Sequence, residues 1–538
     1  MIYPASFYKS KKLLLIEDCE PVRASIKGML QQIGFEDITT VSDAVQAMPL
    51  AKQDNFDVIL ADFDLGPGKD ALQFFTELSQ QALLRLGCCF ILMSAEPRRL
   101  PVLGVLQGAP DAFILKPFSY VELEKRLAKA WSIRSKLRKA YQALRDKDYP
   151  NAQLELDQLI NAMNSASLPA LRIMAEVLLQ QGSYDAALKL YQQVIQQRDF
   201  SWALLGRAVV LLQQEQYAAA EAQLLPLTEQ DDTRPEALEW LACLYLRQQQ
   251  YDLANQQLTE LLRLQPNHFA AHKAKVVVLL LQLQSESAEK YLQKLIQQYR
   301  FSGFDQADYY FDLCRVLLQQ AQQAGMAAMA PLLKKASDAL ASMPQKLQTD
   351  DSDIEHSLLK ARMQLIKGHV ADAKQQFSQL LMPADTAKPA LQLDYARLAF
   401  ALGEVKEADS CLNRLKQYQR SGTDLHSCCL RLITQHALQQ ELALREQIAR
   451  WNQQGMALAQ NGEAKAALLE LRQAFLVMPC NASLVLNMLQ ALSQIAADKT
   501  LLPLAKAMLA ALEFSTKTAA NQQRLAQLLP QLPQLYLD

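Results

Sequence analysis

The chain holds 538 residues, half of them hydrophobic, with a formal net charge of -1; that length excludes one compact core, and that charge leaves no overall positive field for a nucleic-acid backbone. Gly and Pro are scarce at 16 and 21 residues, so helix should dominate. Nine cysteines follow no disulfide or metal pattern and include no C-x-x-C pair, which points to a reducing cytoplasm.

Residues 1–10 read as an N-terminal extension, because MIYPASFYKSKK lacks the apolar core of a signal peptide. Short apolar runs then recur at Leu13 to Ile16, Ile38 to Val41, Val58 to Ala61, Cys89 to Met93 and Ala112 to Leu115. Amphipathic stretches near Pro21 to Ile33, Asp43 to Lys52, Lys69 to Gln81, Pro97 to Leu106 and Tyr120 to Trp131 separate or follow them. Strand alternating with helix predicts an α/β domain over 11–131, a doubly wound five-stranded parallel sheet. Ligands of such sheets sit at the carboxyl ends of the strands.

Polar residues lie at those ends: Glu17 and Asp18 after the first strand, Asp62 after the third, Ser94 after the fourth and Lys116 after the fifth. Three carboxylates brought close repel one another, and a hard divalent cation such as Mg²⁺ is the partner that keeps them ionised. A lone Asp after a strand is commonly a cap or turn residue, so the combination carries the argument rather than any single position.

Through LLLIEDCEP, DVILADFDLG, ILMSAE and FILKPF, in that order, residues 11–131 resemble the flavodoxin-like receiver domain of bacterial two-component response regulators. The resemblance implies that Asp62 accepts a phosphoryl group from a histidine kinase or phosphotransfer protein. It further implies that Asp18, Asp62 and the backbone carbonyl of Phe63 hold Mg²⁺ with Glu17 acting through water, that Lys116 meets the transferring oxygens, and that Ser94 bonds the new phosphate. Such chemistry is mostly positioning and charge neutralisation, so these groups suffice. Phe113, three residues before the lysine, takes the place of the family's switch aromatic; the plain alternative is a half-buried sheet residue. Two departures from the family pattern are a longer loop at Gly66 to Asp70, and Ala71 in place of Gly.

From residue 132 onward the strand runs stop and a repeat begins. Tyr149, Tyr184, Tyr217 and Tyr251 are spaced by 35, 33 and 34 residues, and Ala152, Ala187, Ala220, Ala254 and Ala288 by 35, 33, 34 and 34. A period near 34 marks a helix-turn-helix solenoid. Segments such as LRIMAEVLLQQGSYDAALKLYQQVI and WNQQGMALAQNGEAKAALLELRQAFLVMP resemble the tetratricopeptide repeat. The small residues, Gly455, Ala467 and Ala474 among them, stand where two helices cross closely. Register returns around Gly368 with Ala373 and Gly403 with Ala408, but is lost over 301–344 and 422–448.

A repeat array of this kind offers a concave surface to protein partners. His268 and His272, four apart, show no third metal ligand, and Arg134, Lys136, Arg138 and Lys139 read as a solvated basic cluster. No Gly or Pro interrupts Ser119 to Tyr149, so the last receiver helix should abut or continue into the first repeat. The longest apolar run, Val276 to Leu281, is too short to enter a membrane. The resulting expectation is a cytoplasmic response regulator whose repeats bind another protein. The competing class is a constitutive scaffold whose receiver serves only for docking. A transcription factor would need a recognition helix after residue 131, where repeats stand, and no catalytic constellation beyond the receiver suggests an enzyme.

Overall fold

The computed structural model describes residues 3–65, 70–80, 83–95, 110–300, 304–324, 326–380, 388–417, 424–515 and 518–536. Its N-terminal part holds β1 (Lys12–Ile16), β2 (Asp37–Val41), β3 (Val58–Asp62), β4 (Cys89–Ser94) and β5 (Ala112–Leu115), hydrogen-bonded in the order β2-β1-β3-β4-β5 with every pairing parallel. With them come α1 (Ala5–Lys9), α2 (Glu20–Ile33), α3 (Ala44–Gln53), α4 (Ala71–Gln80) and α5 (Tyr120–Arg145). The expected helix at Pro97 to Leu106 lies outside the described residues.

Strands β1, β3 and β4 read as unbroken apolar runs because both faces of the sheet are covered. Leu13, Leu15, Val58, Leu60, Ile91 and Met93 join Leu30 of α2 and Leu123 and Leu127 of α5 in one core. The alternate residues Leu14, Ile16, Ile59, Ala61, Phe90 and Leu92 join Ala47 of α3 and Phe74 and Leu78 of α4 in the other. Residues 3–8, read from the sequence only as part of an extension, cap the first core with an aromatic cluster. Phe7 and Trp131 lie 5.0 Å apart edge-to-face, and fully buried Tyr8 sits 5.3 Å from Phe35.

Helix α5 starts at a Ser119 cap, whose Oγ accepts from the Glu122 amide at 3.3 Å, and runs unbroken for 26 residues past the end of the sheet domain. One residue of the basic cluster is not solvated. The Arg134 guanidinium donates to Asp111 Oδ1 at 3.2 Å and to the Leu86 carbonyl at 3.2 Å, and lies 4.1 Å over the Tyr141 ring. At its last residue α5 is held again, where Arg145 donates to the Leu84 carbonyl.

The chain forms two compact units, one made of 1–275 with 301–305 and 423–426, the other of 276–300, 306–422 and 427–538. In the first, α6 (Tyr149–Asn161), α7 (Ser167–Gln180), α8 (Tyr184–Gln197), α9 (Ser201–Gln213), α10 (Tyr217–Leu227), α11 (Arg234–Arg247) and α12 (Tyr251–Leu264) follow α5, and α13 (Phe269–Leu281) begins there. The second holds α14 (Ser285–Tyr299), α15 (Ala307–Gln323), α16 (Met326–Ala341), α17 (Asp350–Ile366), α18 (Val370–Gln379), α19 (Pro389–Ala401), α20 (Val405–Lys416), α21 (Leu425–Gln460), α22 (Ala464–Val477), α23 (Ala482–Ser493), α24 (Leu502–Phe514) and α25 (Ala519–Leu528).

Eight turns between paired helices are built alike. The residue two before the second helix takes positive φ: Lys147, Gly182, Glu215, Gln249 and Leu283, then Gly368, Gly403 and Gly462. At Leu283 two bonds close the turn, from its own amide to the Leu280 carbonyl and from the Gln284 amide to the Leu279 carbonyl. The small positions pack as the periodicity required. A Cβ on Gly206 would come within 2.3 Å of the Tyr191 ring, and one on Gly455 within 2.5 Å of Leu471 Cγ.

The stretch without clean register at 422–448 belongs mostly to α21, a single helix of 36 residues, which is why no repeat turn shows there. Across α15, α17 and α19 runs a buried ionic network. Asp394, 1% exposed, accepts from Arg315 Nε at 2.7 Å and from Arg362, while Glu355 accepts from Arg315 and, at 3.2 Å, from Lys388.

Candidate functional site

Glu17 and Asp18 follow β1 directly, Asp62 and Ser94 are the last residues of β3 and β4, and Lys116 follows β5. The ladder extends one step beyond the strands: the Glu17 amide donates to Val41 O at 3.1 Å, Phe63 to Met93 O at 2.8 Å and Lys116 to Ser94 O at 2.8 Å. The backbone thus delivers all five predicted side chains to one edge of the sheet. The Lys116–Pro117 peptide is cis.

Lys116 Nζ donates to Glu17 Oε2 at 2.7 Å and reaches Asp62 Oδ1 at 2.9 Å, so the ammonium ties the first and fifth strands to the third. Carboxylate oxygens of Glu17, Asp18 and Asp62 lie within 4.8 Å of one another, the only such group of three among the described residues. Glu17 and Ser94 are buried, whereas Asp18 is exposed and opens the cluster to solvent.

Burial raises the pKa of both Glu17 and Asp62; Lys116 opposes it, and the neighbouring carboxylates add to it. Burial likewise works against the Lys116 ammonium, but bonds and charges from Glu17 and Asp62 outweigh it and hold its pKa above the ordinary lysine value. One fixed cation is therefore too little for three carboxylates. An all-oxygen, partly open, charge-deficient donor set is what a hard divalent ion such as Mg²⁺ fits.

Phe113 of β5 is half-buried and, like Phe63, packs against the core that holds Phe74 and Phe90. Sequence reasoning missed Arg23. It lies in the first turn of α2, and its Nη1 donates to the carbonyls of Glu17 and Asp18, the latter at 3.3 Å, bracing the loop that carries both carboxylates. The available signal was a basic residue five positions after Asp18 on the opening turn of a helix.

The two histidines are occupied otherwise. His268 caps α13, with Nδ1 accepting from the Ala271 amide at 3.2 Å and Nε2 3.7 Å from Glu239, and His272 Nε2 lies 2.7 Å from the Pro266 carbonyl.

The description "Response regulator receiver domain" matches residues 13–128, and "Tetratricopeptide repeat" matches 178–242 and 241–303. The chain thus carries a receiver domain in its N-terminal part, followed by tetratricopeptide repeats. The receiver is similar to the chemotaxis protein CheY-3 of Vibrio cholerae, 25% identical over 121 residues that make 22% of this chain and 92% of that protein. It is also similar to the chemotaxis protein CheY of Pseudomonas aeruginosa, 24% identical over 118 residues, 22% of this chain and 94% of that one.

A solved receiver domain of a Pseudomonas aeruginosa sensor histidine kinase, with magnesium in its active-site cleft, is 29% identical and covers 22% of this chain and 96% of its own, at a TM-score of 0.20. A tetratricopeptide repeat protein of Parabacteroides merdae covers 49% of this chain and 97% of its own at 15% identity, with a TM-score of 0.32. The receiver relatives thus concern about a fifth of the chain. Among the described residues no helix is long and apolar enough to cross a membrane.

Proposed function

We propose that the chain is a cytoplasmic two-component response regulator. Asp62 takes a phosphoryl group from a histidine kinase or phosphotransfer protein, and the repeats transmit the signal by binding another protein. The single observation that supports this is the Lys116 ammonium bridging Glu17 and Asp62 beside a third carboxylate, on an open sheet edge. That arrangement leaves a nucleophilic oxygen accessible while keeping positive charge where charge accumulates in transfer.

Glu17, Asp18, Asp62 and the Phe63 carbonyl would hold Mg²⁺, which when bound neutralises phosphoryl oxygens. The chain's own residues do the rest: Lys116 pairs with the incoming oxygens, Ser94 offers its hydroxyl to the product, and Phe113 follows that hydroxyl inward. The chain acts only on its own phosphorylation state and is not an enzyme toward other molecules. We assign 11–131 to the receiver and 132–538 to the repeats, a division that falls inside α5.

Incubation with acetyl phosphate and Mg²⁺ should label the protein in an acid-stable, base-labile form. Label should vanish with EDTA or in Asp62→Asn, and Lys116→Ala should slow its uptake about a hundredfold. A constitutive scaffold would remain unlabelled, and label persisting in Asp62→Asn would reject the acceptor.

A further inference from the structure

Helix α4 begins nine residues after the acceptor, and its first turn is closed by a reciprocal cap. The Gln73 amide donates to Asp70 Oδ1 at 2.7 Å, and the Asp70 amide donates to Gln73 Oε1 at 3.2 Å. That leaves the NH2 end of the Gln73 side chain, whose Nε2 donates to the Asn267 carbonyl at 3.4 Å, across 194 residues of sequence. Asn267 lies in the turn between α12 and α13, within the same compact unit as the receiver.

The turn itself is firmly built. His268 caps α13 through Ala271 and faces Glu239 of α11 at 3.7 Å, and His272 closes on Pro266. Asp70 and His268 also act on each other electrostatically, each favouring the other's charged form. On the receiver side, the Ala71 amide donates to the carbonyl of Phe63, the residue after Asp62, at 3.3 Å. A continuous series of contacts therefore leads from the acceptor through Phe63, Ala71 and the Asp70–Gln73 cap to Asn267 and His268 of the repeats.

We propose that the start of α4 is an interaction surface whose partner is this chain's own α12–α13 turn, and that phosphorylation of Asp62 loosens that contact. The coupling rests on the acceptor reading above. A phosphoryl group adds negative charge beside a loop that carries Asp64 and Asp70, and like charge opposes a cap whose acceptor is the Asp70 carboxylate. The repeats then sense the receiver by direct contact as well as through α5.

Hydrogen–deuterium exchange of the full chain tests this, read on peptides covering 264–272 and on peptides covering 58–63. In the resting protein, Gln73→Ala should speed exchange of the α12–α13 turn about fivefold, the effect of losing one hydrogen bond. Beryllofluoride with Mg²⁺ should speed it by a similar factor in the wild type and leave Asp62→Asn unchanged. Unaltered exchange in Gln73→Ala overturns the contact. Slowed exchange at 58–63 without any response at 264–272 overturns the coupling alone. Wild type that shows no beryllofluoride effect at 58–63 overturns the acceptor reading and the coupling with it.

Discussion

Leu283 stands in the turn between α13 and α14 with φ of 59°, and its side chain is 75% exposed. A left-handed backbone costs a residue with a Cβ about 1–2 kcal/mol relative to glycine, and here no buried contact compensates. Leu283→Gly should therefore raise the urea midpoint, by an amount equivalent to about 0.5–1 kcal/mol after the entropy of a more flexible unfolded chain. Leu283→Ala should not; equal effects of the two substitutions would reject backbone strain as the cause. QQGSY, with Gly182, and RQQQY, with Gln249, both read as breaks in the sequence, but only the first holds a residue that favours positive φ; repeat packing imposes the same conformation on both. Asp62, Lys116 and Ser94 were legible for a different reason: strand ends converge whatever the loops do. Arg134 was not legible, since nothing near it in sequence names Asp111, 23 residues away, as its partner.

At the scale of elements, the five strands were readable because a parallel sheet covered on both faces demands unbroken apolar runs. Helix α21 was not, since a single helix of 36 residues leaves no repeat turn over 425–448 for the spacing to mark. The ionic network among α15, α17 and α19 was equally hidden, its members being spread from Asp312 to Asp394. Asp394 carries the network: the Arg315 and Arg362 charges hold its pKa low despite burial, and both guanidiniums turn to it. Asp394→Ala leaves two buried arginines without that partner and should destabilise the second unit by about 3–5 kcal/mol. The check is limited proteolysis combined with chemical denaturation; cleavage within 306–416 as slow as in the wild type would contradict it.

For the whole molecule, acid–base balance depends on carboxyls outside the Glu17–Asp18–Asp62 cluster. Burial pushes Glu176 and Glu236 up to about 8 each, with Arg172 opposing in both cases. A carboxyl whose folded pKa lies above its unfolded value favours the fold while it is protonated. Its stabilisation is complete below the ordinary glutamate range and is lost as pH rises toward 8. The wild type should therefore melt at a lower temperature at pH 8.5 than at pH 5.5, and the pair Glu176→Gln with Glu236→Gln should flatten that slope. Calorimetry at the two pH values decides it, and a slope identical to that of the wild type would refute the assignment.

The unbroken α5 restricts how such a chain is assembled from parts. A flexible tether tolerates insertions, but each residue added to a helix turns everything beyond it by about 100° and advances it about 1.5 Å. An extra residue between Trp131 and Arg134 would carry Arg134 away from Asp111 and the first repeat off its bearing. A foreign receiver grafted onto these repeats therefore has to match helical phase as well as sequence, so this junction admits exchange only in whole turns.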